Sequence, residues 1–383
     1  MLDPKTRRAT AVTEMLTPNQ LIPYLTHRRL LNPAAVFGDG FQIEYSGRRN
    51  HILHLRSHEE TAFFVKQSRR FSEDVGSLAN EAKTYAAFGT LTDACVRRYL
   101  PRSFGYDQSN QVLVLESVPH SEDLLQYHTR IGRFPKSVAR ETGRALGVLH
   151  EETRCWLSIE RPAGLLNAPL PFVFQLSHPP TDIFVNVSAA GLKLIKILQE
   201  DPRFAEAMGR CAEDWRIETL IHGDIRLRNL LMHRHGRKGA FKGIKLVDWE
   251  FASLGDPRWD VGALFSSYLS LWATSIPIVR NDQPDLLIHM ARFPLERIMP
   301  ATEAFWSGYR ETRSWDAREE GLWLTQTLRI AALHLVHTAY EMAQRVNELT
   351  SDIVALVQIA ANMLDRPERA IPDLLGIELK GEG

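Results

Sequence analysis

Ile221-His222-Gly223-Asp224-Ile225-Arg226-Leu227-Arg228-Asn229, and then the apolar run Ile244-Lys245-Leu246-Val247 leading into Asp248-Trp249-Glu250, is the stretch that decides the fold. Gly223 and the polar residues after it mark a turn. The apolar run reads as a short buried strand that ends at Asp248. Two carboxylates and an amide are thereby set at the ends of apolar strands. Such a set gives a divalent cation hard oxygen ligands and leaves one carboxylate to face a hydroxyl, which is what transfer of a terminal phosphoryl group requires of a protein. Asp224 is the candidate base. Asn229 offers Mg²⁺ a neutral amide oxygen, and Asp248 offers the anionic ligand that bridges metal and nucleotide phosphates.

Two signals lie upstream in a fixed order. Ala62-Phe63-Phe64-Val65-Lys66 reads as a strand delivering a lysine, and Ala79-Asn80-Glu81-Ala82 lies in a helical stretch delivering a glutamate. An isolated Asp-Trp-Glu or strand lysine is commonplace, so the order and spacing of the whole set carry the argument. No Gly-x-x-x-x-Gly-Lys-Ser/Thr segment occurs, which disfavours a P-loop fold.

His222-Gly223-Asp224 with Asn229 five residues further on, and Asp248-Trp249-Glu250 downstream, resembles the aminoglycoside phosphotransferase and choline kinase superfamily, whose fold is related to that of protein kinases. Gly255-Asp256-Pro257-Arg258-Trp259-Asp260 is similar to the segment that follows the metal aspartate, so the likeness runs from roughly residue 40 to residue 265. It implies an α+β, two-lobed, protein-kinase-like fold with a small antiparallel-sheet N-lobe and a larger, mainly helical C-lobe. The implied division is a mobile N-terminus at 1–17, a nucleotide-binding N-lobe at 18–118 and a C-lobe at 119–383. It also implies an ATP-dependent phosphotransferase (GTP is the alternative nucleotide) in which Lys66, oriented by Glu81, holds the phosphates.

Further roles follow from the resemblance. The turn Ser46-Gly47-Arg48-Arg49-Asn50 is expected to lie over the nucleotide phosphates, where backbone amides of a turn bounded by Gly47 and Asn50 cap anionic oxygens and Arg48 and Arg49 add positive charge. An ordinary surface turn with two solvated arginines is the alternative. Gln111-Val112-Leu113-Val114-Leu115-Glu116 runs into Ser117-Val118, so Glu116 and Val118 fall where the hinge binds adenine. Many relatives carry His and Pro inside the catalytic loop, whereas this chain has Arg226 and Arg228. Protein kinases place a cation there to neutralise the moving phosphoryl group, so one of these arginines is expected to face inward; pairing with a nearby carboxylate is the equally simple alternative. His222 is expected to brace the loop, and Asp256 and Asp260 to hold backbone rather than metal.

The elements follow from periodicity. One or two short helices are predicted over 18–36, strands near 41–46, 51–56 and 61–66, a helix around 77–89, and strands near 102–107 and 111–117. Val138, Thr142, Ala145, Leu146 and Leu149 share one face of a helix at about 137–151, capped by Ser137. Proline and glycine around 161–180 mark a loop-rich insertion. Val261 to Val279 is 19 residues without a charge, yet its glycine, proline and serines favour a buried helix over a membrane span. Leu322 to Val346 has a long amphipathic pattern whose polar face, with the insertion, is expected to line the acceptor pocket. His334 and His337, on adjacent turns, read as packed or hydrogen-bonded rather than metal-binding.

Composition sets outer limits. With 383 residues and 44% of them hydrophobic, the chain is ample for two lobes. Lys plus Arg and Asp plus Glu balance at 46 each, so neither nucleic acid nor an anionic membrane is implied as a partner. No carboxylate cluster suits a polycationic aminoglycoside. Cys95, Cys155 and Cys211 are few and far apart, and the start lacks the apolar stretch of a secretory signal, so a cytoplasmic setting is expected. Three readings stand at this point: a kinase for a hydroxyl of a metabolite, antibiotic or natural-product intermediate; a peptide serine or threonine kinase with a biosynthetic partner enzyme; and a nonenzymatic kinase-like partner protein. The second rests on a similarity of Gly47-Arg48-Arg49-Asn50 and Phe63-Phe64-Val65-Lys66-Gln67 to the kinase component of split lanthipeptide synthetases.

Overall fold

A computed structural model describes residues 14–32, 42–46, 50–56, 62–69, 72–91, 95–159, 169–185, 187–277 and 289–379. The small lobe begins with helix α1 (Pro18–His27) and the hairpin strands β1 (Gln42–Ser46) and β2 (His51–Arg56), followed by β3 (Phe63–Gln67), α2 (Leu78–Thr90), β4 (Ser103–Asp107) and β5 (Val112–Glu116). The strands form one antiparallel sheet in the order β1-β2-β3-β5-β4. Side chains alternate along each strand, so the sheet divides its residues between two faces. Leu53, Leu55, Phe63, Val65, Val112 and Val114 pack under α1 with Leu21 and Leu25. Leu113 and Leu115 point the other way, toward Leu78, Ala82 and Phe88 of α2. Lys66 pairs in register with Leu113 and therefore belongs to this second face, where the cleft opens.

The chain then runs through β6 (Ser121–Asp123), α3 (Leu124–Ile131), α4 (Lys136–Ile159), α5 (Ala189–Glu200), α6 (Pro202–Glu213) and β7 (Thr219–Ile221). Beyond these come β8 (Leu230–Arg234), β9 (Phe241–Leu246), β10 (Ser253–Gly255), α7 (Pro257–Ala273), α8 (Leu295–Arg310), α9 (Ala317–Ala343), α10 (Ser351–Asp365) and α11 (Pro367–Leu375). Strands β6, β8 and β9 form a small sheet, and β7 pairs with β10, so the catalytic loop and the Asp248 loop emerge from neighbouring strand pairs. Helices α4 and α8 touch backbone to backbone. A Cβ on Gly143 would sit 2.0 Å from the Phe305 carbonyl, and one on Gly308 would sit 2.0 Å from that of Arg140. Only glycine at both points permits that approach.

Most predicted elements appear within a residue or two of their expected bounds. The helix expected at 137–151 is longer, reaching Ile159, because residues 152–159 contain neither glycine nor proline and Thr153 is buried against Leu149. Ser137 is not its cap, since the Val138 and Ala139 amides bond to the Pro135 carbonyl. The uncharged run is the buried helix α7 through Ala273, residues 278–279 lying outside the described set. No helix among the described residues is long and apolar enough to cross a membrane. The amphipathic pattern at 322–346 is α9, begun earlier by Asp316, whose side chain accepts from the Glu319 amide at 2.8 Å. Helices α3, α5 and α6 had no clear sequence signal. Residues 33–36 of the first helical prediction and 160–168 of the insertion lie outside the described residues, as do 1–13 of the N-terminal tail. Glu14 and Leu16, also assigned to that tail, are held to the sheet: Gln67 Nε2 donates to the Glu14 carbonyl at 3.0 Å, and the Leu16 amide donates to Gln67 Oε1 at 2.8 Å.

Candidate active site

The catalytic loop is built on Gly223 and on a buried carboxylate below it. Gly223 has φ +81, and a Cβ there would lie 2.3 Å from the Phe251 carbonyl, so the loop and the segment after Asp248 meet at a point only glycine tolerates. Asp260, fully buried on α7, accepts from the His222 amide at 2.7 Å and the Gly223 amide at 3.0 Å. His222 donates through Nε2 to the Val247 carbonyl at 2.9 Å and packs on Trp249, which ties the two loops together. Asp256 caps α7 and pairs with Arg258. His222, Asp256 and Asp260 thus have the bracing parts expected of them.

At the loop's surface Asp224 has both oxygens engaged. Oδ1 accepts from Arg226 Nε at 2.6 Å, and Oδ2 accepts from Asn229 Nδ2 at 3.1 Å. The same Asn229 nitrogen donates to the Asp224 carbonyl at 2.8 Å, which turns the amide oxygen away from the Asp224 side chain. That oxygen has no hydrogen bond among the described residues, and Asn229 lines a cavity together with Asp248. A neutral and an anionic oxygen donor on one wall suit a hard, oxygen-seeking cation. Asp248 has φ 70, a left-handed conformation rare outside glycine and concentrated at functional turns.

Lys66 joins the lobes. Its Nζ lies 2.9 and 2.8 Å from the two Glu81 oxygens and 2.6 Å from Asp248 Oδ1. Burial alone would strip the ammonium of its proton, but the adjacent Glu81 and Asp248 outweigh it and hold the pKa above the usual lysine value. Asn80 on α2 adds a second tie, donating to the Glu250 and Ala252 carbonyls at 2.9 and 2.8 Å.

Between the lobes lies a cavity of about 420 Å³, lined by Lys66, Val118, Arg228, Asn229 and Asp248 among others. Val118 borders it, and its amide makes no hydrogen bond among the described residues. Glu116 borders it too, but one carboxylate oxygen is taken by the Arg102 amide at 3.0 Å. Asn50 stands at the cleft edge rather than in the cavity, with Nδ2 3.4 Å from Glu250 Oε2. Gly47 and Arg48 lie outside the described residues.

A second cavity of about 300 Å³ opens on the other side of the loop, walled by Asp224, Trp259 and the facing sides of α7 and α9, including Ser266, Ser270, His334 and His337. Arg228 borders both cavities. Arg226 does not line the cleft cavity; its terminal nitrogens are held by Glu341 on α9 at 3.0 and 2.9 Å. Arg226 thus pairs with carboxylates, and Arg228 has no such partner among the described residues. The polar side of α9, through His334, His337 and Thr338, lines the second cavity. Described residues of the insertion do not line it, although Phe174 packs edge-on against Trp259 behind the wall. His334 donates from Nε2 to the Trp259 carbonyl at 3.1 Å and lies against that indole. Sequence reasoning missed Glu341, Ser266 and Ser270. The serines, four apart in an uncharged helix, were a readable stripe; Glu341 had no local mark.

Comparison with known proteins agrees with this architecture. The profile of the APH group, described as the phosphotransferase enzyme family, matches residues 45–283. No curated protein sequence matches the chain significantly. Among solved structures, an ethanolamine kinase of Plasmodium vivax superposes with a TM-score of 0.55 at 10% identity, over 93% of this chain and 92% of that one. A choline kinase of Cryptosporidium parvum gives 0.52 at 10% identity over 93% and 96%. A glucosamine kinase in complex with glucosamine, ADP and inorganic phosphate gives 0.50 at 17% identity over 88% and 84%. At such identities these likenesses speak to fold, and they match the two-lobed, protein-kinase-like arrangement. The profile match over more than half its length places the chain in the phosphotransferase enzyme family, as a kinase whose acceptor is an alcohol group.

Proposed function

We propose that the chain moves the γ-phosphoryl group of ATP to a hydroxyl of a small molecule. Nucleotide occupies the cleft cavity, acceptor occupies the cavity between α7 and α9, and the reacting groups meet at the loop between them. The observation that carries this reading is Arg228, which borders both cavities beside Asp224 and has no carboxylate partner among the described residues. Mg²⁺ held by Asn229 and Asp248 would screen the phosphate charge. Asp224 accepts the hydroxyl proton as the acceptor oxygen bonds to phosphorus and the bond to the ADP oxygen breaks. Lys66, oriented by Glu81, holds the nucleotide phosphates, and Val118 offers a backbone amide to the base. An acceptor cavity of about 300 Å³, at the small end of ligand pockets, favours a small molecule over a peptide.

The test is incubation with Mg-ATP and candidate acceptors, followed by mass spectrometry for an added phosphoryl group. Asp224→Ala should keep nucleotide affinity and lose about 10²–10⁴ in kcat, the usual contribution of a positioned base. Full activity in that variant would remove Asp224 from the mechanism. Asp248→Ala should lose metal-dependent nucleotide binding, and unchanged Mg-ATP affinity would remove it from the metal site.

A further inference from the structure

Apart from Arg228, whose guanidinium also borders the cleft cavity, the charges around the acceptor cavity are cancelled within the protein. Asp224 is the one carboxylate among the described residues that line it, and both its oxygens are engaged by Arg226 and Asn229. Glu341, just behind, is consumed by Arg226. Beyond these residues and Arg228, the walls are uncharged. Ser266 and Ser270 on α7, and Thr274 at its C-terminal cap, recur every four residues and so share a face. Ser270 lines the cavity, and its buried Oγ has no hydrogen-bond partner among the described residues. Across from it, burial holds the pKa of both His334 and His337 below the usual histidine value, so each presents a neutral ring. His334 has its proton committed to the Trp259 carbonyl, which leaves Nδ1 as an acceptor.

An ammonium group finds no welcome on these walls. It would lose its water with only Asp224, already shared by Arg226 and Asn229, to compensate, and it would stand near the guanidinium groups of Arg226 and Arg228. The aromatic alternative is also closed. Trp259 is only 7% exposed; His334 lies against it with ring centroids 3.8 Å apart, and Phe174 and Trp215 meet it edge-on, so no face is left for a cation. Hydroxyl groups fit, because each can donate to an imidazole nitrogen and accept from a serine.

We infer that the acceptor is an uncharged, polyhydroxylated molecule of about monosaccharide size, held between the hydroxyl stripe of α7 and the two histidines of α9, and that amine-bearing acceptors are excluded. This rests on the phosphotransfer reading of the same cavity, so its test separates the two. The full chain is loaded with Mg²⁺ and the non-transferable analogue AMP-PNP, and calorimetry measures nucleotide binding first. Ligand-observed NMR then compares matched pairs: glucose against glucosamine, and choline against its neutral isostere in which carbon replaces nitrogen. In each pair the neutral member should bind at least about tenfold more tightly, and Ser270→Ala should weaken glucose binding. Equal or tighter binding of the amines, or binding of neither neutral compound to nucleotide-loaded protein, overturns the inference and leaves the kinase reading standing. Failure of the nucleotide itself to bind overturns both.

Discussion

Arg226 grips Glu341 at two points, 3.0 and 2.9 Å, across 115 residues of chain, while its Nε holds Asp224 at 2.6 Å. The clasp fixes the loop of Asp224 to α9, and on the proposed mechanism Glu341 would position the base. Its carboxyl is held below the usual glutamate pKa; burial opposes this, but the Arg226 guanidinium prevails. Glu341→Gln keeps the shape and removes the charge, leaving Arg226 to bear on Asp224 alone. We expect kcat to fall about 10- to 100-fold, the scale of a small misplacement at the reacting centre, with the KM for ATP unchanged. Stability should change by no more than about 1 kcal/mol, because the pair is partly solvated. Initial rates and a thermal melt decide it; wild-type kcat would reduce the clasp to a structural contact.

Lys66 and Glu81 carry a different kind of prediction, because their pair is buried. Removing the lysine alone strands a carboxylate that has no exposure to solvent. Lys66→Met should therefore cost about 3–5 kcal/mol in denaturant unfolding as well as most nucleotide affinity. Adding Glu81→Gln removes the stranded charge, so the double variant should recover much of the stability and none of the affinity. Recovery of both would mean that Lys66 acts only through the fold.

What was legible in the sequence was local, or strictly ordered along the chain. His222-Gly223-Asp224 and Asn229 belong to one loop, whose spacing is set by a single turn, and Lys66 and Glu81 follow from a strand and the helix after it. Partner choice was not legible. Nothing near Arg226 and Arg228 says which will be captured by a carboxylate, because the capturing residue, Glu341, arrives only when α9 packs beside α7. Glu116 shows the same limit from the other side: its place at the cavity edge follows from the strand, while the engagement of its carboxylate depends on the neighbouring Arg102 backbone. Asn50 was expected over the phosphates; its reach to Glu250 depends on how far the hairpin leans over the cleft.

Buried histidines should set the acid limb of stability. His128 has no exposure, and burial lowers its pKa to about 4, although its Nδ1–H donates to the Arg133 carbonyl. His334 is lowered in the same direction, by burial first and then by His337. A base with a depressed folded pKa contributes stability that is intact above its unfolded value, about 6.5, and is lost as pH falls toward the folded value. Each such histidine should cost up to about 1.4 kcal/mol per pH unit in that window. Denaturant midpoints measured from pH 7 down to pH 5 should fall, and His128→Gln should flatten the slope. A flat wild-type profile would show that these rings stay hydrated.

Arg228 is the sharpest test of how the two cavities communicate. It is exposed, it borders both, and no carboxylate holds it among the described residues. A guanidinium so placed stabilises charge that develops on the phosphoryl oxygens during transfer, while doing little for either bound ground state. Arg228→Ala should then lower kcat by about 10²–10³ with both KM values nearly unchanged, and Arg228→Lys should restore part of the rate because charge survives without the planar fork. Arg226→Ala should behave differently: its guanidinium already has two carboxylates, and its loss frees the Asp224 side chain, so its defect belongs to the orientation of the base and should not be rescued by lysine. Paired kinetics on the four proteins separate these roles. If Arg228→Ala raised the KM for ATP and left kcat alone, Arg228 would be a nucleotide-binding residue instead.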